Sequence, residues 1–337
     1  MATCISFGQH RLGGGLALAL LAVLACDSGG AHKAPPPATP AAAPLGAHLG
    51  AALLEEIDFV PPTTRAFVRV DLAKLAATAP GAGAMLDYLL RAQQPAVADV
   101  LAAAGLVPGR EIAAAYLILG EDDELVVAGV GRFDAARIAS VLAGREAEVA
   151  LRPDGARTFT WRDGVEPYVG AAVAFDSRKA LLGPASVGVA EGLVLVGSPA
   201  AVGHCLDQHG GATAGGASRS LAVSPLAKVL ASVDVNATLF GVARGGGPLV
   251  SSIAPGLVSA RLSVEVAALG RGGLALEATF EEPPEAQSFA VVARGLAEEA
   301  TRLIGGVARE AKDGAQRPPI EVTVGGATVS VTARLGQ

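Results

Sequence analysis

A strand, a turn and a capped helix recur three times in this chain of 337 residues, and that recurrence constrains the fold more than any other feature. The first copy, "LVVAGVGRFDAARIASVLAG" from Leu125, is an apolar strand followed by a helix. Asp134 is its N-cap residue, and Ile138, Val141 and Leu142 form its apolar stripe. The second, "LVLVGSPAAVGHCLDQHGG" from Leu193, uses Ser198 as N-cap, Pro199 at the first helical position and Gly210 near the C-cap. Its stripe is Val202, Cys205 and Leu206. The third, from Leu274 to Leu303, enters a longer helix through Pro283-Pro284, with Phe289, Val292, Leu296, Leu303 and Ile304 at helical spacing. Each unit follows another strand, so the module is a β-hairpin and then a helix. The likeness is one of pattern rather than residue identity, and shared architecture alone produces it.

Hairpin signals fill the gaps. "GEDD" separates "EIAAAYLIL" from "ELVVAGV", "PDG" and "RDG" bracket "ARTFTW", and "GRGG" joins "ARLSVEVAAL" to "LALEATF". The chain closes with "IEVTVGGATVSVTARL", two alternating strands around Gly325-Gly326. At the front of the body, "RAFVRVDLAKLAAT" predicts a short strand and a helix capped by Asp71, followed by helical stretches over 82–93 and 95–104, the latter closed by Gly105. Hairpins rather than β-α-β crossovers predict an α+β fold, mainly an antiparallel sheet with helices packed on one face. The alternative division is two similar lobes split near 210–220, at "GGATAGGASRS".

The N-terminal 50 residues read differently. "LALALLAVLAC", residues 16–26, is an apolar run of ten residues ended by a cysteine. As a helix it spans about 15 Å, half of a bilayer's hydrocarbon core, so it suits a signal h-region better than a membrane span. Arg11 and the amino terminus give a weakly positive n-region. Val23-Leu24-Ala25-Cys26 resembles the lipobox of bacterial lipoproteins, with an aliphatic residue at −3, a small one at −1 and cysteine at +1, although Leu24 departs from the commoner Ala or Ser. The resemblance implies a signal peptide over 1–25, diacylglyceryl attachment to Cys26 and acylation of its new amine. Residues 26–50, with five prolines among Ala, Gly and Ser, then read as a tether unable to bury enough surface to fold. The body occupies 51–337. Cys4 leaves with the signal and Cys26 carries lipid, so Cys205 remains alone and no disulfide is expected.

No constellation names a reaction. "HCLDQH" offers His204, Cys205 and His209, but adjacent helical residues point about 100° apart, and Cys205 with His209 supplies at most two ligands where zinc takes three or four. Cys205 is expected in the apolar stripe and His209 at a favourable helix C-terminus. "GEDDE" (120–124) lacks the ligand spacing of a calcium loop and reads as a solvated hairpin tip. "EEPPE" (281–285) complements a helix dipole. "GVGRFD" lacks the third glycine of a dinucleotide loop, and the Walker, GxSxG, HExxH and CxxC patterns are absent from the sequence. Trp161 and Tyr168 are expected to cover a hairpin from one side. A formal charge of −6, with no basic run, lacks the footprint of nucleic-acid binding.

"RAFVRVDLAKL", "GLVPGREI" and "GVGRFDAARIASVLA" resemble uncharacterised bacterial lipoproteins built from tandem hairpin-helix modules, a likeness that implies a fold and no activity. The expectation is therefore a lipid-anchored protein of the bacterial envelope, held to a membrane through Cys26, non-enzymatic, with a binding or scaffold role toward an envelope protein or ligand. No catalytic, metal or cofactor residue is assigned. The alternatives are an envelope hydrolase whose residues, with His204 or His209 as base, converge only in space, and a carrier of an apolar ligand.

Overall fold

The computed structural model describes residues 53, 56–78, 95–121, 124–145, 147–161, 185–213, 224–247, 250–251, 254–267, 271–308 and 320–335. The signal segment, Cys26, the tether, the 82–93 stretch and Tyr168 lie outside them, as does part of the 210–220 division.

Strand β1 (Ala66–Asp71) leads into helix α1 (Leu72–Thr78), where Asp71 accepts the Lys74 backbone N–H at 2.8 Å as an N-cap should. Helix α2 (Pro95–Ala104) ends at Gly105, whose φ of 64° suits a left-handed cap. The hairpin β2 (Ile112–Leu119) and β3 (Leu125–Gly131) feeds α3 (Ala135–Ala143), capped by Asp134 through the Ala136 N–H at 2.8 Å. Strands β4 (Glu148–Leu151) and β5 (Arg157–Trp161) follow, then the hairpin β6 (Ala185–Ala190) and β7 (Leu193–Gly197) with helix α4 (Pro199–Thr213). After the short α5 (Ala227–Leu230) come β8 (Leu239–Arg244), β9 (Leu257–Ala267), β10 (Arg271–Phe280), α6 (Pro283–Ala308), β11 (Ile320–Gly325) and β12 (Thr328–Leu335).

All twelve strands join one sheet in the order β11-β12-β10-β9-β8-β1-β2-β3-β7-β6-β5-β4. Every pairing between these strands is antiparallel. The fold is α+β, as the hairpin signals predict. The order β1-β2-β3-β7-β6 on one side of the centre matches β8-β9-β10-β12-β11 on the other, and β1 pairs directly with β8. Ladder hydrogen bonds thus run unbroken between the two sets of strands.

The expectation of helices on one face is corrected in one respect. Ile138, Ala139 and Leu142 of α3 pack with Phe159, Val187 and Val189, and the alanines of α6 pack with Val329 and Val331 on the same face. Val202, Cys205 and Leu206 of α4 pack instead with Leu193, Leu195 and Val126 on the opposite face. The cause lies in strand composition. β7 is apolar at consecutive positions, with Leu193 and Leu195 on one face and Val194 and Val196 on the other, so both faces need cover. Where alternation is strict, as in "IEVTVG" and "TVSVTARL", one face stays wet: Glu321, Thr323 and Thr332 are exposed.

A second correction concerns α6. Val292, expected in its stripe, is 47% exposed; the buried stripe is Ala286, Ala290, Ala293 and Ala297. Small residues at these spacings let the helix approach the sheet closely, while Phe289 reaches Phe280 with ring centroids 5.1 Å apart.

Candidate functional site

Among the described residues, a connected set of polar side chains lies where the N-terminal segment meets the sheet. Ile57, Phe59 and Val60 are buried on the face that carries α4, with Phe59 edge-on to Tyr116 at 5.4 Å between ring centroids. Alternating with Ile57 and Phe59, the chain places two acids, Glu56 and Asp58. Glu56 receives two bonds from Arg69, Nε to Oε1 at 3.0 Å and the second terminal nitrogen to Oε2 at 3.2 Å. The hydroxyl of Tyr116, a fully buried residue, also donates to Glu56 Oε1 and accepts from Arg69 Nε at 3.1 Å. Arg69 reaches Asp71 as well, at 3.3 Å. Arg69 and Tyr116 are cross-strand partners on β1 and β2, so the register itself brings them together.

Electrostatics reinforce this arrangement. Burial opposes the Arg69 charge, but the hydrogen bond and negative charge of Glu56, with the Tyr116 hydroxyl accepting beside it, outweigh it and raise the pKa above the ordinary arginine value. The Tyr116 phenol is raised as well, by burial and then by the Glu56 carboxylate, so it stays a neutral donor.

Two residues on, Asp58 holds His209 of α4, with Nδ1 2.9 Å from Oδ1 and 3.1 Å from Oδ2. His209 was expected to serve a helix terminus; its partner is instead a residue 151 positions earlier. The Asp58 hydrogen bond raises the imidazole above its ordinary value, burial opposes this, and the charges of Asp58 and Asp154 add to the rise. Asp154 and Asp207 both pair with Arg152 close by. Because the folded value lies above the unfolded one, the pair stabilises fully below the unfolded pKa of about 6.5 and loses that contribution as pH rises through the folded value. Both groups are partly exposed, so the stabilisation is at most about 1 kcal/mol. The unfolding midpoint is therefore expected to fall by about 2 °C between about pH 6 and pH 9, and His209→Gln should abolish that slope in scanning calorimetry.

The other residues singled out in the sequence are placed as follows. Cys26 lies outside the described residues. Cys205 is 1% exposed in the apolar stripe, where burial and the Glu124 charge push its thiol up to about 12. His204 on the same helix is exposed. No serine or threonine hydroxyl hydrogen-bonds to His209 among the described residues. No group of three or more His, Cys, Asp or Glu among them is placed to hold a metal ion. In "GEDDE", Glu121 is exposed and pairs with Arg65 at 3.6 Å, while Glu124 accepts from Ser198 Oγ at 2.9 Å. Trp161 is buried, its indole N–H donating to the Arg145 carbonyl at 2.8 Å. Sequence reasoning missed Glu56 and Asp58. Their signal was there: two acids interleaved with Ile57 and Phe59 between the tether and the first strand.

No family model matches the chain, and no curated protein matches it. A solved structure, crystal form I of TP0453, aligns with a TM-score of 0.41 at 8% identity over 82% of this chain and 92% of that one. No helix among the described residues is long and apolar enough to cross a membrane.

Proposed function

We propose that this is a lipid-anchored protein of the bacterial envelope that works outside the cytoplasm by binding or scaffolding rather than by catalysis. The observation that carries the reading is continuity from anchor to body. Val23-Leu24-Ala25-Cys26 supplies the lipid site, residues 27–50 the tether, and the first segment beyond it is clasped to the sheet through Glu56 and Asp58. Several acyl chains on one residue give stable attachment, at about 0.8 kcal/mol for each buried CH₂. The clasp then fixes the body at the end of a tether that spans roughly 70 Å when fully extended. Mass spectrometry of the mature N-terminus is expected to find triacylated Cys26, and Cys26→Ser should move the protein out of the membrane fraction. An unmodified cysteine, or a different mature N-terminus, refutes the anchor.

A further inference from the structure

Among the described strands, β4 stands last in the sheet order, paired with β5, and all four of its residues are exposed. Val149 is 50% exposed and Leu151 71%. Natural sheets blunt such edges with proline, lysine or a bulge, and β4 carries none of these. The phase of the ladder decides which backbone groups remain for a partner. The Arg152 N–H donates to the Ala156 carbonyl at 2.9 Å, and two residues along each strand Ala150 lies opposite Thr158. Hydrogen-bonded and non-hydrogen-bonded pairs alternate along an antiparallel ladder, so Ala150 and Glu148 turn their peptide groups toward β5. Val149 and Leu151 turn theirs outward.

The side chains divide by the same alternation. Val149 lies opposite Phe159, which is buried on the face that bears α3, and Leu151 shares that face. Glu148, Ala150 and Arg152 take the other face, where Arg152 pairs with Asp207 of α4. About Ala150 the strand is complementary to itself. A second copy laid antiparallel and centred there sets Val149 opposite the second copy's Leu151, and Leu151 opposite its Val149. The same register sets Glu148 of each copy opposite an arginine, Arg152, so opposite charges meet at both ends.

We propose that β4 is a docking edge for a second copy of this chain, joined about a twofold axis at Ala150. Val149 and Leu151 of each copy exchange N–H and C=O groups with those of the other, which makes four hydrogen bonds across the axis. Two valines and two leucines cover one another on the α3 side, so side chains that stand in water in one chain are buried in two. The same patch serves both copies, so the contact closes on itself and does not propagate into a filament. A contact of about five residues a side falls short of the roughly 1,200 Å² of a stable complex, so association is weak and concentration-dependent. The inference uses neither the anchor nor the binding role proposed above.

The test is oxidative crosslinking of the full chain in dodecyl maltoside with oxidised glutathione. A Cys4→Ser, Cys26→Ser background leaves the buried Cys205 as the one natural cysteine. Ala150 sits on the axis in a non-hydrogen-bonded pair, where Cα atoms stand about 4.5 Å apart, within the roughly 4.4–6.8 Å that a disulfide spans. Ala150→Cys is therefore expected to give about tenfold more linked dimer than Glu148→Cys, whose two copies lie about 13 Å apart along the pairing. Adding Leu151→Lys to Ala150→Cys sets charges into the apolar cluster and should lower that yield about tenfold. Its unfolding midpoint should stay within about 1 °C of the parent's, because the side chain is already exposed. Sedimentation of the natural chain should show a mass that rises with concentration. Equal linkage through Ala150→Cys and Glu148→Cys, or linkage indifferent to Leu151→Lys, overturns the proposal. So does a natural chain that stays monomeric at every concentration, and a crosslink from Ala150→Cys to a different protein in intact cells gives the edge to that protein instead.

Discussion

Arg69→Met is expected to destabilise the protein by about 3 kcal/mol and to release the segment around Glu56 from the sheet. Arg69 is the centre of a network in which every member bonds to another: Glu56 accepts from Arg69 and Tyr116, and Asp71 accepts from Arg69. Removing it leaves the Glu56 carboxylate in a site that keeps only a quarter of that side chain in water. The penalty for stranding one partner of a fully buried pair runs to about 3–5 kcal/mol, and the partial exposure of Glu56 places this case at the lower end. Glu56→Gln tests the assignment from the other side. It keeps the shape and an acceptor oxygen but removes the charge, so it should cost less, about 1–2 kcal/mol. Urea unfolding measures both. Hydrogen exchange at 56–60 adds a readout that a general loss of stability does not predict, because the backbone there should exchange faster in Arg69→Met even where the distant β9–β12 ladder keeps its protection. Equal loss of protection in both regions would mean that the network does not hold this segment in particular.

Much of the architecture was legible one element at a time. Asp134, Ser198 and Asp71 announce helices by a local mechanism, an oxygen offered to an unpaired N–H, and each performs it. Gly105, Gly155 and Gly326 mark turns because each adopts a positive φ. What a single sequence does not carry is relation at a distance. Whether α3 and α4 share a face depends on which edge the β6–β7 hairpin joins, and β7 pairs with β3 rather than extending from β5 alone. The candidate sites failed to show for the same reason. Arg69 and Tyr116 are 47 residues apart and meet through register, while Asp58 and His209 meet only because α4 crosses to the face where the N-terminal segment lies. On α6 the predicted stripe holds at Phe289 and departs at Val292, because the closest positions against the sheet belong to alanines, which carry little weight in a hydrophobic pattern.

The placement of α4 can be decided by the sign of a single substitution. Gly188 lies on β6 opposite Leu195, on the face that α4 covers. A Cβ there would stand 2.7 Å from Val202 Cγ1 and 3.1 Å from Leu206 Cδ1, and both side chains are fully buried. In an open strand Gly→Ala is favourable by about 0.5–1 kcal/mol, since glycine gives up more backbone freedom on folding. Against α4 the new methyl group has nowhere to go without moving the helix, and overpacking of this kind costs about 1–3 kcal/mol. Gly188→Ala is therefore expected to destabilise by about 2 kcal/mol, and Gly188→Val by more. The compensating change follows from the same distances. Val202→Ala alone opens a cavity, but in the Gly188→Ala background it makes room for the added methyl group, so the double variant should be at least about 1 kcal/mol more stable than the two separate effects would sum to. Denaturant unfolding of the four chains measures that coupling. A neutral or stabilising Gly188→Ala would put α4 on the other face, whereas a positive coupling with Val202 ties the helix to this strand and explains why "LVLVG" is apolar at consecutive positions: its leucines lie under α4 and its valines under the opposite layer.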